Sequence, residues 1–146
     1  MADLSVTASR LRPLEGIEAR MIPMKADAAI LKGQAVYRKP NGRAGLARAN
    51  AVGTAKVVGV ATSDAGIGEA FEALYHGRMV GHDLSAVDPG STVYLSAATA
   101  GAIDGAVVTG TGNVVQALGT VHTMTDVSST RFIFFDIPQN AAPVAL

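Results

Sequence analysis

Three histidines, His76, His82 and His122, are the side chains best suited to bind a metal or move a proton. A metal site needs three or four ligands converging at fixed spacings. No third ligand shares a motif with His76 and His82, which flank an expected hairpin, so all three read as surface-turn histidines. Cysteine is absent, which removes disulfides, cysteine-ligated zinc and a thiol nucleophile. Serine and threonine are plentiful, but a hydroxyl nucleophile needs a base in reach and a third group to orient it, and no Gly-x-Ser-x-Gly occurs. Gly110-Thr111-Gly112-Asn113 has the glycines of a phosphate-cradling loop. A P-loop, however, runs through Gly-Lys-Ser/Thr into a helix, and this one runs into the strand-like Val114-Val115. Glu69 with Glu72, and Asp83 with Asp88, could act as carboxylate pairs in glycoside hydrolysis, and they serve equally as ordinary acids on a solvated face. The chemistry-bearing residues therefore predict no catalytic, cofactor-binding or metal residue, no cofactor, and a protein that is not an enzyme.

Charge narrows the partners. Lys plus Arg is 12 and Asp plus Glu is 12. A nucleic-acid binder usually carries a net basic balance or a basic stripe. Here the basic residues are scattered, with one mild cluster at Arg38, Lys39, Arg43 and Arg48 that reads as a solvated turn or a polar contact to a protein. No apolar run nears the roughly 18 residues that span a bilayer. Met1-Ala2-Asp3-Leu4-Ser5-Val6 lacks the basic and apolar regions of a signal peptide. The expectation is a soluble, cytoplasmically made protein that binds neither nucleic acid nor membrane. Its zero formal charge leaves little self-repulsion to oppose assembly.

The elements that must position these residues are short strands. Hydrophobic residues make up 49% of the chain, but aromatics only 5%, and glycine, alanine, valine and threonine dominate. That mixture favours strands and tight turns over long helices. Residues 1–25 read as an N-terminal arm, with Pro13 and Gly16 against a helix and a short strand around Ile17 to Pro23. Residues 26–138 read as one β-rich domain, and 139–146 as a C-terminal tail. Within the domain an approximate repeat joins 31–60 to 88–121. Gly33-Gln34-Ala35-Val36-Tyr37 recurs as Gly90-Ser91-Thr92-Val93-Tyr94, Ala44-Gly45 as Ala100-Gly101, and Gly59 as Gly119. In each copy a glycine turn precedes a Val-Tyr strand, a hairpin loop follows (Asn41-Gly42 is a tight-turn signal), and a valine-rich strand closes the unit. Between the copies, Gly68 to Gly81 reads as two strands turning at His76-Gly77, with a helix from Glu69 to Tyr75 as the alternative. Arg131 to Ile137, apolar on both faces, reads as a strand buried between two layers. The predicted fold class is all-β: a small β-barrel or β-sandwich of short antiparallel strands with an extended N-terminal arm.

The segment from Gly81 to Leu95, with Asp83-Leu84-Ser85, a glycine turn at Gly90 and then Val93-Tyr94-Leu95, resembles the capsid decoration (cement, or head-stabilising) proteins of tailed bacteriophages. Val58-Gly59-Val60-Ala61-Thr62, Gly66-Ile67-Gly68-Glu69, Ala100-Gly101-Ala102-Ile103, Gly110 to Val115, Leu118-Gly119-Thr120-Val121 and Phe134-Phe135-Asp136-Ile137 extend the resemblance over roughly residues 30–138. Its specificity lies in the order of the motifs. The resemblance implies a non-enzymatic virion protein on the capsid exterior, a dimer or trimer with itself, that binds and stabilises the lattice of the major capsid protein. An arm suits that role, since an extended segment can add a strand to a neighbour's sheet edge, and Leu4, Val6, Leu11 and Leu14 would be its apolar anchors. A phage tail or baseplate component would share this composition. A carbohydrate-binding module would need an exposed aromatic cluster, drawn from Tyr37, Tyr75, Tyr94 and four phenylalanines. An enzyme with a dispersed site would show perturbed acids or histidines in a cleft.

Overall fold

A computed structural model describes residues 3–7, 11–13, 19–124, 127–139 and 143–146. In chain order the elements are β1 (Arg12–Pro13), β2 (Arg20–Lys25), β3 (Ala35–Arg38), β4 (Ala44–Leu46), the single helical turn α1 (Val52–Ala55), β5 (Val57–Ala61) and β6 (Ala70–Val80). There follow β7 (Thr92–Leu95), β8 (Ile103–Asp104), β9 (Val114–Val115), β10 (Ala117–Met124), β11 (Val127–Asp136) and β12 (Val144–Ala145). The regular secondary structure is nearly all β, and the antiparallel sheet curls into a half-barrel. Strand order is β4-β3-β5-β6-β11-β10-β7-β8, with β1 and β2 added on β6 and a separate β9–β12 pair.

That order is a palindrome built from a repeated four-strand unit. In the first copy Tyr37 faces Val57 and Val36 faces Gly59, so Val58 is bulged out. In the second, Tyr94 faces Ala117 and Val93 faces Gly119, leaving Leu118 as the extra residue. The turn hydrogen bonds recur as well. Gly33 N–H donates to Ala61 O and Ala61 N–H to Gln34 O; Gly90 N–H donates to Val121 O and Val121 N–H to Ser91 O. Gly33 and Gly90 share a φ of 89°, open to glycine and strained for other residues. The repeat reaches further than its sequence motifs, because Leu74 faces Val60 as Phe134 faces Thr120. Where the copies meet, His76 faces Asp136, Gly77 faces Phe135, and Ile137 N–H donates to Tyr75 O. These pairings interchange under one pseudo-two-fold axis through the His76–Asp136 pair. The Ala-Gly motif is not equivalent in the two copies. Gly45 lies in β4 opposite Tyr37, whereas Asp104 faces Tyr94 and Gly101 lies in the preceding turn at φ 81°.

Three local expectations are corrected. His76-Gly77 is no turn, and no helix forms over Glu69 to Tyr75: β6 runs unbroken from Ala70 to Val80. Gly77, at φ 144°, bends the strand where its neighbours change, from β2 and β5 along the first half to β1 and β11 along the second. A side chain there would press on Ala19 Cα at 3.1 Å. The bend also shifts the facing of side chains, so Leu74 and Met79, of opposite parity, enter the same core. The second strand of the chain begins at Arg20 and runs to Lys25, rather than ending at Pro23. The Asn41-Gly42 loop places only Gly42 at positive φ, and Gly42 N–H donates to Lys39 O at 2.8 Å. Pro40 and Asn41 are thus the centre of an ordinary turn followed by a glycine bulge.

The main core fills the concave side of the sheet, with Leu74, Met79, Val93, Leu95, Ile133 and Phe135 among its side chains. A second, smaller cluster of Met24, Ala26, Ile30, Val36, Phe71 and Ala73 lies under the 26–34 and 62–68 loops. β11 therefore buries Ile133 and Phe135 in the core, joined by Ile137 just past its end, while Phe134 on its other face is only half-buried. That outer face is covered by neighbouring side chains, not by a second layer. His122 stacks on Phe132 at 5.7 Å, Arg78 sits 5.9 Å from the same ring, and His76 meets Phe134 edge-on.

The half-barrel closes along a seam, without a β4–β8 ladder. Gly101 N–H donates to Ala47 O at 2.6 Å, Ala35 N–H to Gly101 O at 2.8 Å, and Ala49 N–H to Ser96 O at 2.9 Å.

Candidate functional site

The N-terminal segment Asp3–Thr7 lies across the mouth of the seam as an extended strap. Leu4 N–H donates to Ile103 O at 2.8 Å, Asp83 N–H to Ser5 O at 2.7 Å, and Thr7 N–H to Gly81 O at 2.9 Å. The strap thereby covers β8, one edge of the sheet, while Asp27 N–H covers the other by donating to Ala44 O. Blunted edges of this kind resist unwanted pairing. Of the four expected anchors, Leu4 is half-buried against the main core and Val6 is 40% exposed. Leu11 is a core residue of this chain, 4% exposed and packed over Gly33. Leu14 falls outside the described residues.

Beside the strap opens a cavity of about 260 Å³. Its walls are Leu4 and Val6, the turn Leu31–Gln34, Asp64, His82, and Gly101–Ile103. The turn is well braced: Leu31 N–H donates to Gln34 Oε1 and Lys32 N–H to Asp64 Oδ1, both at 2.9 Å. Leu31 is 59% exposed and stands with Val6 as open apolar surface.

His82 is not a surface-turn histidine. It is 7% exposed, bridges to Val6 of the strap, and meets the Phe135 ring edge-on at 6.0 Å. Its Nε2 lies 3.4 Å from Gly33 O, which assigns the proton to Nε2, and Nδ1 has no hydrogen-bond partner among the described residues. Burial favours the neutral ring and pushes its pKa down to about 4, only partly offset by the Gly33 carbonyl. Nothing local in the sequence marks this site, because five separated segments build it.

The other chemistry-bearing residues are engaged locally. His76 Nδ1 lies 3.3 Å from exposed Asp136, and His122 Nε2 lies 2.8 Å from Thr120 Oγ1. Both sit in strands. Among the described residues no group of three or more His, Asp or Glu could hold a metal. Lys39 donates to Asp27 at 2.6 Å and Arg43 stands 4.0 Å away, so Asp27 offsets the basic cluster. That hydrogen bond lowers the Asp27 carboxyl, and Asn41 adds to it. Glu69 caps Gly66 N–H, and Asp83 accepts from the Ser85 hydroxyl and then its N–H, which lowers its carboxyl. In the Gly110 loop, Asn113 turns back to Gly110 O and Thr109 O, consuming groups that a phosphate would need. No family model and no curated protein matches this chain.

Proposed function

We propose that this chain is a non-enzymatic virion structural protein that binds the outside of a phage capsid and stabilises the major capsid protein lattice, acting as a dimer or trimer. The observation that carries this is the order of the motifs resembling decoration proteins between residues 30 and 138. The all-β half-barrel supports it, since Gly81 to Leu95 runs from the end of β6 through a loop into β7 of one continuous sheet. The loop is held by Arg131, whose guanidinium donates to Leu84 O at 2.9 Å and Val87 O at 2.7 Å. A carbohydrate module is less well supported, because Phe132 is only 8% exposed beneath His122 and Arg78.

The stabilising effect would follow from mass action, since a ligand that binds only the assembled shell raises its stability, and many copies on one lattice add avidity. The test is co-sedimentation of the purified chain with expanded capsids lacking decoration, followed by their melting temperature. Saturable binding with a raised melting temperature is the expected result. Absence of binding at micromolar protein overturns the proposal and brings the tail-component reading forward.

A further inference from the structure

The strap and β8 begin as a strand pair and then part. Asp3 faces Asp104, and continuing that register would set Val6 opposite Gly101. Gly101 cannot take part, because its N–H is given to Ala47 O and its carbonyl accepts from Ala35 N–H. The two segments splay, and the cavity opens between them.

Alternation along the strap decides what faces that opening. The Ser5 carbonyl accepts from Asp83 N–H and Thr7 N–H donates to Gly81 O, both on the side away from the groove. Leu4 and Val6 point their main-chain groups to the opposite edge, where Leu4 N–H meets Ile103 O. The N–H and C=O of Val6 therefore lie on the groove side, and neither is hydrogen-bonded among the described residues.

We infer that this groove binds an extended peptide segment of a partner protein, which pairs with the main chain of Val6 and seats one large apolar side chain between Val6, Leu31 and Ile103. Three features select that occupant. A free strand edge recognises another strand by its backbone. A volume of about 260 Å³ lies just below the roughly 300–1,000 Å³ of small-molecule sites and accommodates one large side chain together with the backbone that carries it. Lys32 and Asp64 place one charge of each sign on the lining, complementary to a segment with no net charge. This inference stands apart from the capsid reading, so a chain that fails to bind capsids can still pass the test below.

The test is an NMR titration of the full ¹⁵N-labelled chain with acetyl-Thr-Leu-Thr-amide, and with acetyl-Thr-Asp-Thr-amide as control. The expected result is saturable shifts at the amides of Val6, Leu31–Gln34 and Gly101–Ile103, with a Kd on the order of 1 mM for so short a probe. Val6→Pro, which removes the free N–H and fixes φ, and Leu31→Asp, at an exposed position, should each weaken binding at least about tenfold. Leu31→Asp keeps the test sound if Val6→Pro disturbs the strap. No saturation, equal binding of the aspartate peptide, or shifts centred elsewhere would overturn the proposal. So would concentration-dependent shifts at these amides without peptide, since a second copy would then be the occupant.

Discussion

His82 sits where the strap pairs with the body of the protein, its ring buried against Gly33 O and Phe135, and its titration gives a measurable consequence. In the unfolded chain an ordinary histidine protonates near pH 6.5, whereas folded His82 does so only at about 4. The unfolded state therefore takes up the proton first as pH falls. Stability is fully present above pH 6.5, declines between 6.5 and 4, and reaches its full loss below 4, a change of about 3 kcal/mol. Urea unfolding across that window should show the decline, and His82→Leu should flatten it while lowering stability at pH 7. A wild-type profile level from 6.5 to 4 would remove His82 from this role. Asp27 and Asp83, both held below the ordinary carboxylate value of 3.8 by hydrogen bonds, act in a different range. Their contributions are present above that value and are lost only as pH falls through their lowered pKa values.

At the scale of the element, the repeated glycines set how closely strands approach. A methyl group on Gly119 would run into the Phe134 carbonyl, and one on Gly59 would press on Ala73 Cβ at 2.8 Å. Gly53, in α1, has open space around it and no positive φ. Gly119→Ala should therefore destabilise by about 3 kcal/mol or more, because β10 must move off β11. Gly53→Ala should stabilise by about 0.5 kcal/mol through the unfolded chain. Thermal melts of the two variants check both directions. The Val-Tyr strands and the Phe-rich strand were legible in the sequence, since β-branched and aromatic runs between glycine turns leave few alternatives. The single course of β6 was not. His76-Gly77 carries a turn-like pair, and only the exchange of neighbouring strands shows that the glycine bends the strand without ending it. The extension of the repeat was hidden for a related reason. Phe71 and Arg131 stand at equivalent positions, yet one enters an apolar cluster and the other binds loop carbonyls. Backbone pairing kept the symmetry while the side chains changed.

Over the whole molecule, stability is unevenly distributed. β6, β11 and β10 are laced by continuous ladders around the core, whereas the strap rests on a few main-chain bonds and the half-buried Leu4. Elements held this lightly open first. Removing residues 1–7 should leave the sheet folded, lower its melting temperature by several degrees, and speed amide exchange at Asp83 well beyond any change at Val121. Equal acceleration at both amides would mean the strap is integral to the fold. The candidate site was illegible in the sequence on the same scale, since it exists only where the N-terminus, the two repeats and the linker between them converge.

The seam through Ala35, Gly101 and Ala47 gives the molecule a mechanical grain. Strands joined by a ladder resist sliding together, because many bonds must break at once. Isolated bonds across a seam yield one at a time. A load applied from outside would leave the β6–β11–β10 plate rigid and be absorbed along that line, so the groove beside it would widen or narrow with the load. The half-barrel is stiff across its back and compliant along its lip.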